Sequence, residues 1–391
     1  MRAAATILVA IVAFVARWAA IVWTWHPRAD ARAAAEPLVI ARAPSAPGEA
    51  TLLFAGDTAE IDFALPTVEV LGLMYPFGST IDLVRAADVA VANHEAPITD
   101  AARPSSLYKK YVYAAPAASA RALAGAGFDV LALANNHALD AGADGLADTI
   151  ANAARAGLLT IGAGRDAAEA RRGVVVDIGG VRVAILAYCE RQLLFDAYMD
   201  LFARARHPGV AMAAEPDLAL DVARLRARAD LVVVSFHIGD NYAPPTRAQR
   251  RWAERAIDAG ADLVVEHHPH VAQPVAMYRG RPVVLSLGNY AFGTPGRFFR
   301  RADPDLLDLG LLALAHARRC PSGGAAFDRL ELVPLAVHND RVRYRPEPLA
   351  GRELATALDR LRESSQRWGA DVRADSGRAV VTLPGCARVQ P

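Results

Sequence analysis

The sequence predicts an α/β domain built on a mostly parallel, buried sheet with helices outside it, and three observations carry that prediction. Apolar β-like runs alternate with Ala- and Arg-rich helical stretches. The runs are near-continuously apolar, as strands covered on both faces are. Polar residues suited to chemistry follow several runs immediately, where α/β folds place their ligands. In order, the runs lie at 51–55, 89–92, 129–134, 174–178, 181–188, 231–236, 262–265 and 283–287, with helices near 117–126, 143–156, 214–229 and 246–259. The last helix is amphipathic. Trp252, Ala256 and Ala259 fall on one face, Arg250, Glu254 and Asp258 on another, and Gly260 supplies a stop. Further strands are expected near 308–316 and 327–336, then a helix over 351–367.

Ahead of the domain, Ala3 to Trp25 is apolar apart from Arg17, Thr6 and Thr24, and Trp18, Trp23 and Trp25 cluster toward one end. Residues 1–27 therefore read as a membrane signal anchor, or as a signal peptide, since Ala31-Arg32-Ala33 and Ala33-Ala34-Ala35 both fit a small-x-small site. Either reading exports the domain, to the cell membrane or as a secreted protein. An Ala-, Pro- and Arg-rich stretch over 28–49 reads as a linker, 50–349 as the domain, and 350–391 as a C-terminal helix and tail. The 391 residues carry a net charge of +1 with no long basic stretch, which gives no case for nucleic acid. Cys189, Cys320 and Cys386 fit no zinc or CxxC spacing and say little about redox compartment.

Six of the ten histidines fall in four segments that each end an apolar run: His94, His137, His237, and the group His267, His268 and His270. With Asp57, Glu95 and Asn136 they suggest a metal site of imidazole, carboxylate and amide donors, suited to a first-row divalent ion such as manganese, iron or zinc. One tetrahedral zinc would leave donors over. Two ions about 3.5–4 Å apart sharing one carboxylate use them better. Period-two alternation puts His268 and His270 on one side with Glu266 and turns His267 away.

The ordered words FAGD (54–57), DVAVANHEAPIT (88–99), GFDVLALANNHALDAG (127–142), LVVVSFHIGDNY (231–242), AGADLVVEHHPHVAQPV (259–275) and RPVVLSLGNYAFG (281–293) make the chain resemble the CapA family. That family takes its name from poly-γ-glutamate capsule synthesis and belongs to the calcineurin-like metallophosphoesterase superfamily. The resemblance implies a four-layer α/β/β/α sandwich and a binuclear site acting through a metal-bridged hydroxide. Three positions depart from the family pattern: Glu266 stands where Gly is usual, Asn241 where Glu is usual, and His94 where Leu is usual.

Asp57 could be a turn carboxylate or helix cap, but it closes the first strand inside the opening motif and is assigned as a ligand. Glu95 is assigned the bridging position, with His237, His268 and His270 as ligands. By resemblance Asn136 is a ligand, and His137 stabilises the transition state or protonates the leaving group. Asp140 would orient His137 or else cap the next helix. Asn135, Glu266, Asn241 and Asn289 are expected to support the ligands. Ser286 lacks a Gly-x-Ser-x-Gly elbow, and Arg247 to Arg251 read as a solvated face. The expected function is metal-dependent hydrolysis in capsule or cell-surface polymer metabolism, on a phosphoester or γ-glutamyl bond. The other reading is a non-catalytic, metal-stabilised scaffold in a polymer synthesis or export complex.

Overall fold

The computed structural model describes residues 34–101, 109–191, 199–293 and 306–388. The expected membrane segment lies outside them; among the described residues no helix is long and apolar enough to cross a membrane. The fold is mixed α/β, with two principal sheets. The first has seven strands in the order Leu38–Arg42, Val174–Ile178, Val181–Cys189, Leu231–His237, Leu263–His267, Arg281–Val284 and Val275–Tyr278. The second has ten strands, and its parallel half runs Glu49–Ala59, Val89–His94, Val130–Ala132 and Leu159–Ile161. Its other half is antiparallel, through Gly310–Arg319, Ala325–Ala336, Arg378–Thr382 and Val372–Asp375.

Alternation along the strands explains the layering. Leu231, Val233, Leu263 and Val265 join the large core shared with Leu52, Phe54 and Leu312 of the other sheet. Val232, Val234, Phe236 and Val264 point the opposite way, onto Leu218, Val222 and Leu225 of helix Asp217–Arg226 and Ala253, Ala256 and Ile257 of helix Arg247–Asp258. Helix Arg247–Asp258 begins at a capping box, in which Thr246 Oγ1 accepts from Gln249 N and the Gln249 side chain accepts from Thr246 N.

Two boundaries differ from expectation. Residues 38–42, assigned to the linker, form an edge strand in parallel register with Val174–Ile178. The run LVIA is short and set among Pro, Ala and Arg, which hides its period. Beyond helix Gly351–Gln366 the chain adds two strands to the larger sheet rather than a tail. A disulfide between Cys320 and Cys386, 66 residues apart, fastens the C-terminal turn Gly385–Arg388 beside the end of strand Gly310–Arg319.

The carboxyl ends of the parallel strands in both sheets meet at one edge. There the register slips between Ala55 and Asp57, and a Cβ on Gly56 would stand 2.1 Å from Gly288 O. Only glycine allows that approach, which lets Asp57 N donate to Gly288 O at 2.9 Å and seats Asn289 opposite Asp57.

Candidate metal centre

Each chemical side chain sits at the end of a buried strand or in the residues just after it. Glu49–Ala59 delivers Asp57, Val89–His94 delivers Glu95, and the turn after Val130–Ala132 delivers Asn136 and His137. The opposing sheet delivers His237 at the end of Leu231–His237, and His267, His268 and His270 at the end of Leu263–His267. The backbone turns left-handed at His268 (φ 100°) and His270 (φ 58°), a strained geometry for non-glycine residues and one found mostly at functional sites.

The donors form two triads that share Glu95. One is Glu95, His237 and His268; the other is Asp57, Glu95 and His270; in each, one ligand atom per residue lies within 4.8 Å of the others. His237 Nε2 is 3.3 Å from Glu95 Oε1 and 3.0 Å from His268 Nδ1, and it donates to Asn136 Oδ1 at 2.7 Å. His270 Nδ1 is 3.1 Å from Asp57 Oδ2 and 2.9 Å from Asn289 Oδ1. Both Glu95 oxygens are buried and make no hydrogen bond among the described residues. Such a pair of orphaned acceptors is costly unless something cationic takes them up. The mixed imidazole, carboxylate and amide set therefore fits divalent cations.

The electrostatics agree. Burial, reinforced by the negative charge of Asp57, pushes Glu95 up to about 7. Burial also works against the charged form of Asp57, but the imidazoles of His267 and His270 outweigh it and hold that carboxyl well below the usual range. Burial drives His237 down to about 3 and lowers His268 strongly, so both offer neutral nitrogens. His270 is the exception: burial disfavours its charge, yet Glu95 and Asp57 raise it to about 9.

A pH effect follows. In the ion-free chain the stabilisation from the His270 imidazolium is complete below the unfolded value of about 6.5 and is lost as pH rises through about 9. An incoming ion must displace that proton, so uptake at pH 7 is expected to release about one proton from His270, and affinity to fall by up to tenfold per unit as pH drops. Calorimetry of metal binding in two buffers of different ionisation enthalpy measures this; identical heats in both would contradict it.

His137 stands beside the triads. Its Nδ1 donates to Asp140 Oδ2 at 2.6 Å, and its ring stacks on Tyr113 at 4.2 Å. Asp140 also accepts from Lys109 Nζ at 2.5 Å and from Tyr113 N at 2.8 Å, so it ties three groups rather than capping a helix. Burial and the Lys109 charge lower the His137 pKa. Asn135 braces the turn, donating to His94 O at 2.8 Å and accepting from His137 N at 3.2 Å.

Three expectations change. His267 faces inward, its Nδ1 3.6 Å from Asp57 Oδ1, because strand alternation puts it on the face of Leu263 and Val265 and ends before the turned residues His268 and His270. It joins the ligand candidates. Glu266 shares the outer face of Val264 and lies under helix Arg247–Asp258, where Gln249 Nε2 donates to its Oε2 at 2.9 Å. Burial raises its pKa well above the usual value, which favours the neutral carboxylic acid, and its hydrogen bond runs to Gln249 and not to the donors of the triads. Glu266→Gln is accordingly expected to leave metal affinity within about twofold, not the 10–100-fold of a residue bonded to a ligand; metal titration checks it. Asn241 is exposed, and it is Tyr242 whose ring lies 5.7 Å from that of His270. Ser286 Oγ accepts from Gly288 N at 3.0 Å, a structural task.

Sequence reasoning gave no role to Asn93, which donates to Asp57 Oδ1 at 2.7 Å, and passed over Lys109 and Tyr113, which bracket His137. Asn93 stands at the strand end just before the conspicuous His94-Glu95 pair, a position that marks it as a neighbour of the site without saying what it bonds. His94 itself pairs with Glu60 (Nε2 to Oε2, 3.2 Å) away from the triads.

Residues 51–294 match the sequence profile of the family described as bacterial capsule synthesis protein PGA_cap. The PGA biosynthesis protein CapA of Bacillus subtilis is 30% identical over 288 residues, covering 73% of this chain and 71% of that protein. The capsule biosynthesis protein CapA of Bacillus anthracis is 33% identical over 251 residues, 62% of this chain and 59% of that protein. A probable polyglutamine synthesis accessory protein of Mycobacterium tuberculosis is 34% identical over 231 residues, 55% of this chain and 59% of that protein. The matched segment spans most of the chain and contains every residue of both triads, so the chain belongs to the bacterial capsule synthesis protein family PGA_cap, the CapA family.

Proposed function

We propose that this protein is an exported, metal-dependent hydrolase of CapA type, with a metallophosphoesterase-like layered fold, acting in capsule or cell-surface polymer metabolism. The observation that carries the reading is the pair of donor triads sharing Glu95, both of whose oxygens are buried and make no hydrogen bond among the described residues. Two divalent ions, manganese, iron or zinc, would be held by Asp57, His270 and Glu95 on one side and by Glu95, Asn136, His237 and His268 on the other. When bound, such ions supply Lewis-acid charge and make coordinated water acidic near neutral pH. Asp140 holds the His137 proton on Nδ1 and so leaves Nε2, which has no hydrogen-bond partner among the described residues, to exchange a proton with substrate. The names of the relatives support a polymer of the poly-γ-glutamate kind and a place in a synthesis complex. The Cys320–Cys386 disulfide supports export, because such bonds persist in oxidising compartments.

Metal analysis of the purified chain, combined with a screen of phosphoesters and γ-glutamyl peptides, tests the proposal. Turnover that is lost in His268→Ala supports hydrolysis. Full metal content with no turnover of either bond class favours the scaffold reading instead.

A further inference from the structure

Tyr113 is held more tightly than packing alone requires. It is 7% exposed and sits in a small apolar cluster with Ala59, Ile61, Ala96, Ala115 and Phe292. Its ring stacks on His137 at 4.2 Å and 28°, and meets Phe292 edge-on at 6.2 Å and 86°. Its backbone N donates to Asp140 Oδ2 at 2.8 Å. The turn after Val130–Ala132, the end of strand Asn289–Phe292 and its own segment thus fix it from three directions.

Every one of those contacts uses the ring or the backbone. A hydroxyl is kept on this largely buried ring although a phenylalanine would satisfy the same packing without one. The Tyr113 hydroxyl makes no hydrogen bond to any described residue, and its ring lies beside the metal centre, stacked on His137 and against Phe292, whose own ring is 4.7 Å from that of His270. Burial, then Glu95, push its pKa above that of ordinary tyrosine, so the group remains an O–H donor at any working pH. Lys109 is engaged elsewhere, its ammonium donating to Asn136 O at 2.7 Å and to Asp140 Oδ1 at 2.5 Å.

We propose that the Tyr113 hydroxyl is a substrate-contacting hydrogen-bond donor of the metal centre, serving an oxygen that carries negative charge on a phosphoryl group or on the tetrahedral form of a carboxamide. The chemistry rests on the hydrolase reading; the contact does not, because an oxyanion can be bound without being turned over. A donor to a charged acceptor in a buried site is worth roughly tenfold or more in affinity.

The probe is inorganic phosphate, titrated calorimetrically into the full-length, metal-loaded chain. Tyr113→Phe, which keeps the ring, is expected to weaken phosphate binding about tenfold at unchanged metal content, while Tyr111→Phe, at an exposed neighbouring ring, leaves it unchanged. In the wild-type chain, phosphate is expected to perturb the tyrosine ultraviolet difference spectrum, a readout that stands even if Tyr113→Phe folds poorly. Phosphate affinity within twofold of wild type in Tyr113→Phe, or no phosphate binding and no tyrosine signal in the metal-loaded wild type, overturns the assignment. A weakened phosphate site in a protein that hydrolyses nothing sinks the hydrolase reading and keeps Tyr113. Robust turnover with phosphate affinity untouched by Tyr113→Phe does the reverse.

Discussion

Glu95→Gln is expected to empty both metal positions together, lowering affinity for each ion by at least about 100-fold, whereas His268→Ala acts mainly on one. Glu95 is the one residue common to the two triads, so losing its charge weakens the donor set of both at once. The same substitution is expected to leave the ion-free fold as stable as wild type, or more so. In the wild-type chain the two buried Glu95 oxygens make no hydrogen bond among the described residues and lie near the charge of Asp57, and the protonated form of Glu95 is favoured up to about pH 7. Replacing the carboxylate by a neutral amide removes a buried charge and relieves its desolvation cost and its repulsion by Asp57. Stability exchanged for binding is the pattern of a functional site. Metal analysis and thermal unfolding, each with and without manganese or zinc, check both halves. A variant that keeps one full equivalent of metal would show that Glu95 serves a single ion.

Much of this arrangement was legible in the sequence, because strand-end placement is a local signal. Asp57, Glu95, His237 and the His267–His270 block each follow an apolar run that stands out from hydropathy alone, and each does close a buried strand. What failed was the extension of alternation past the strand's end. His268 and His270 reach the centre through left-handed backbone, not through an i, i+2 face, and that same miscount turned His267 outward and Glu266 inward. No residue in HHPH announces a positive φ in the way glycine does. Lys109 and Tyr113 lie in a segment without period, between the words that carry the resemblance, and only the fold brings them onto His137. The Leu38–Arg42 strand and the Cys320–Cys386 bond are long-range pairings, invisible to any local window.

His137→Ala is expected to lower turnover by about 10²–10⁴-fold while metal content stays at the wild-type level. The imidazole belongs to neither triad, so its removal takes away no ligand. Its supporting group also survives the change. Asp140 keeps Lys109 Nζ at 2.5 Å and Tyr113 N at 2.8 Å, so its charge remains paired and the turn that carries Asn136 is not left with an isolated buried carboxylate. Asp140→Asn is the harsher change for the fold, because Lys109 would lose its counter-charge in a largely buried position. The two variants therefore separate chemistry from scaffolding: His137→Ala loses rate at constant metal and near-constant melting temperature, whereas Asp140→Asn loses rate and stability together. The pH profile adds a sign. Burial and the Lys109 charge favour the neutral ring, so a step in which His137 protonates the leaving group slows as pH rises above its lowered pKa. That limb is expected in the wild-type profile and absent from His137→Ala; an unchanged profile with only a small rate loss would remove His137 from the reaction.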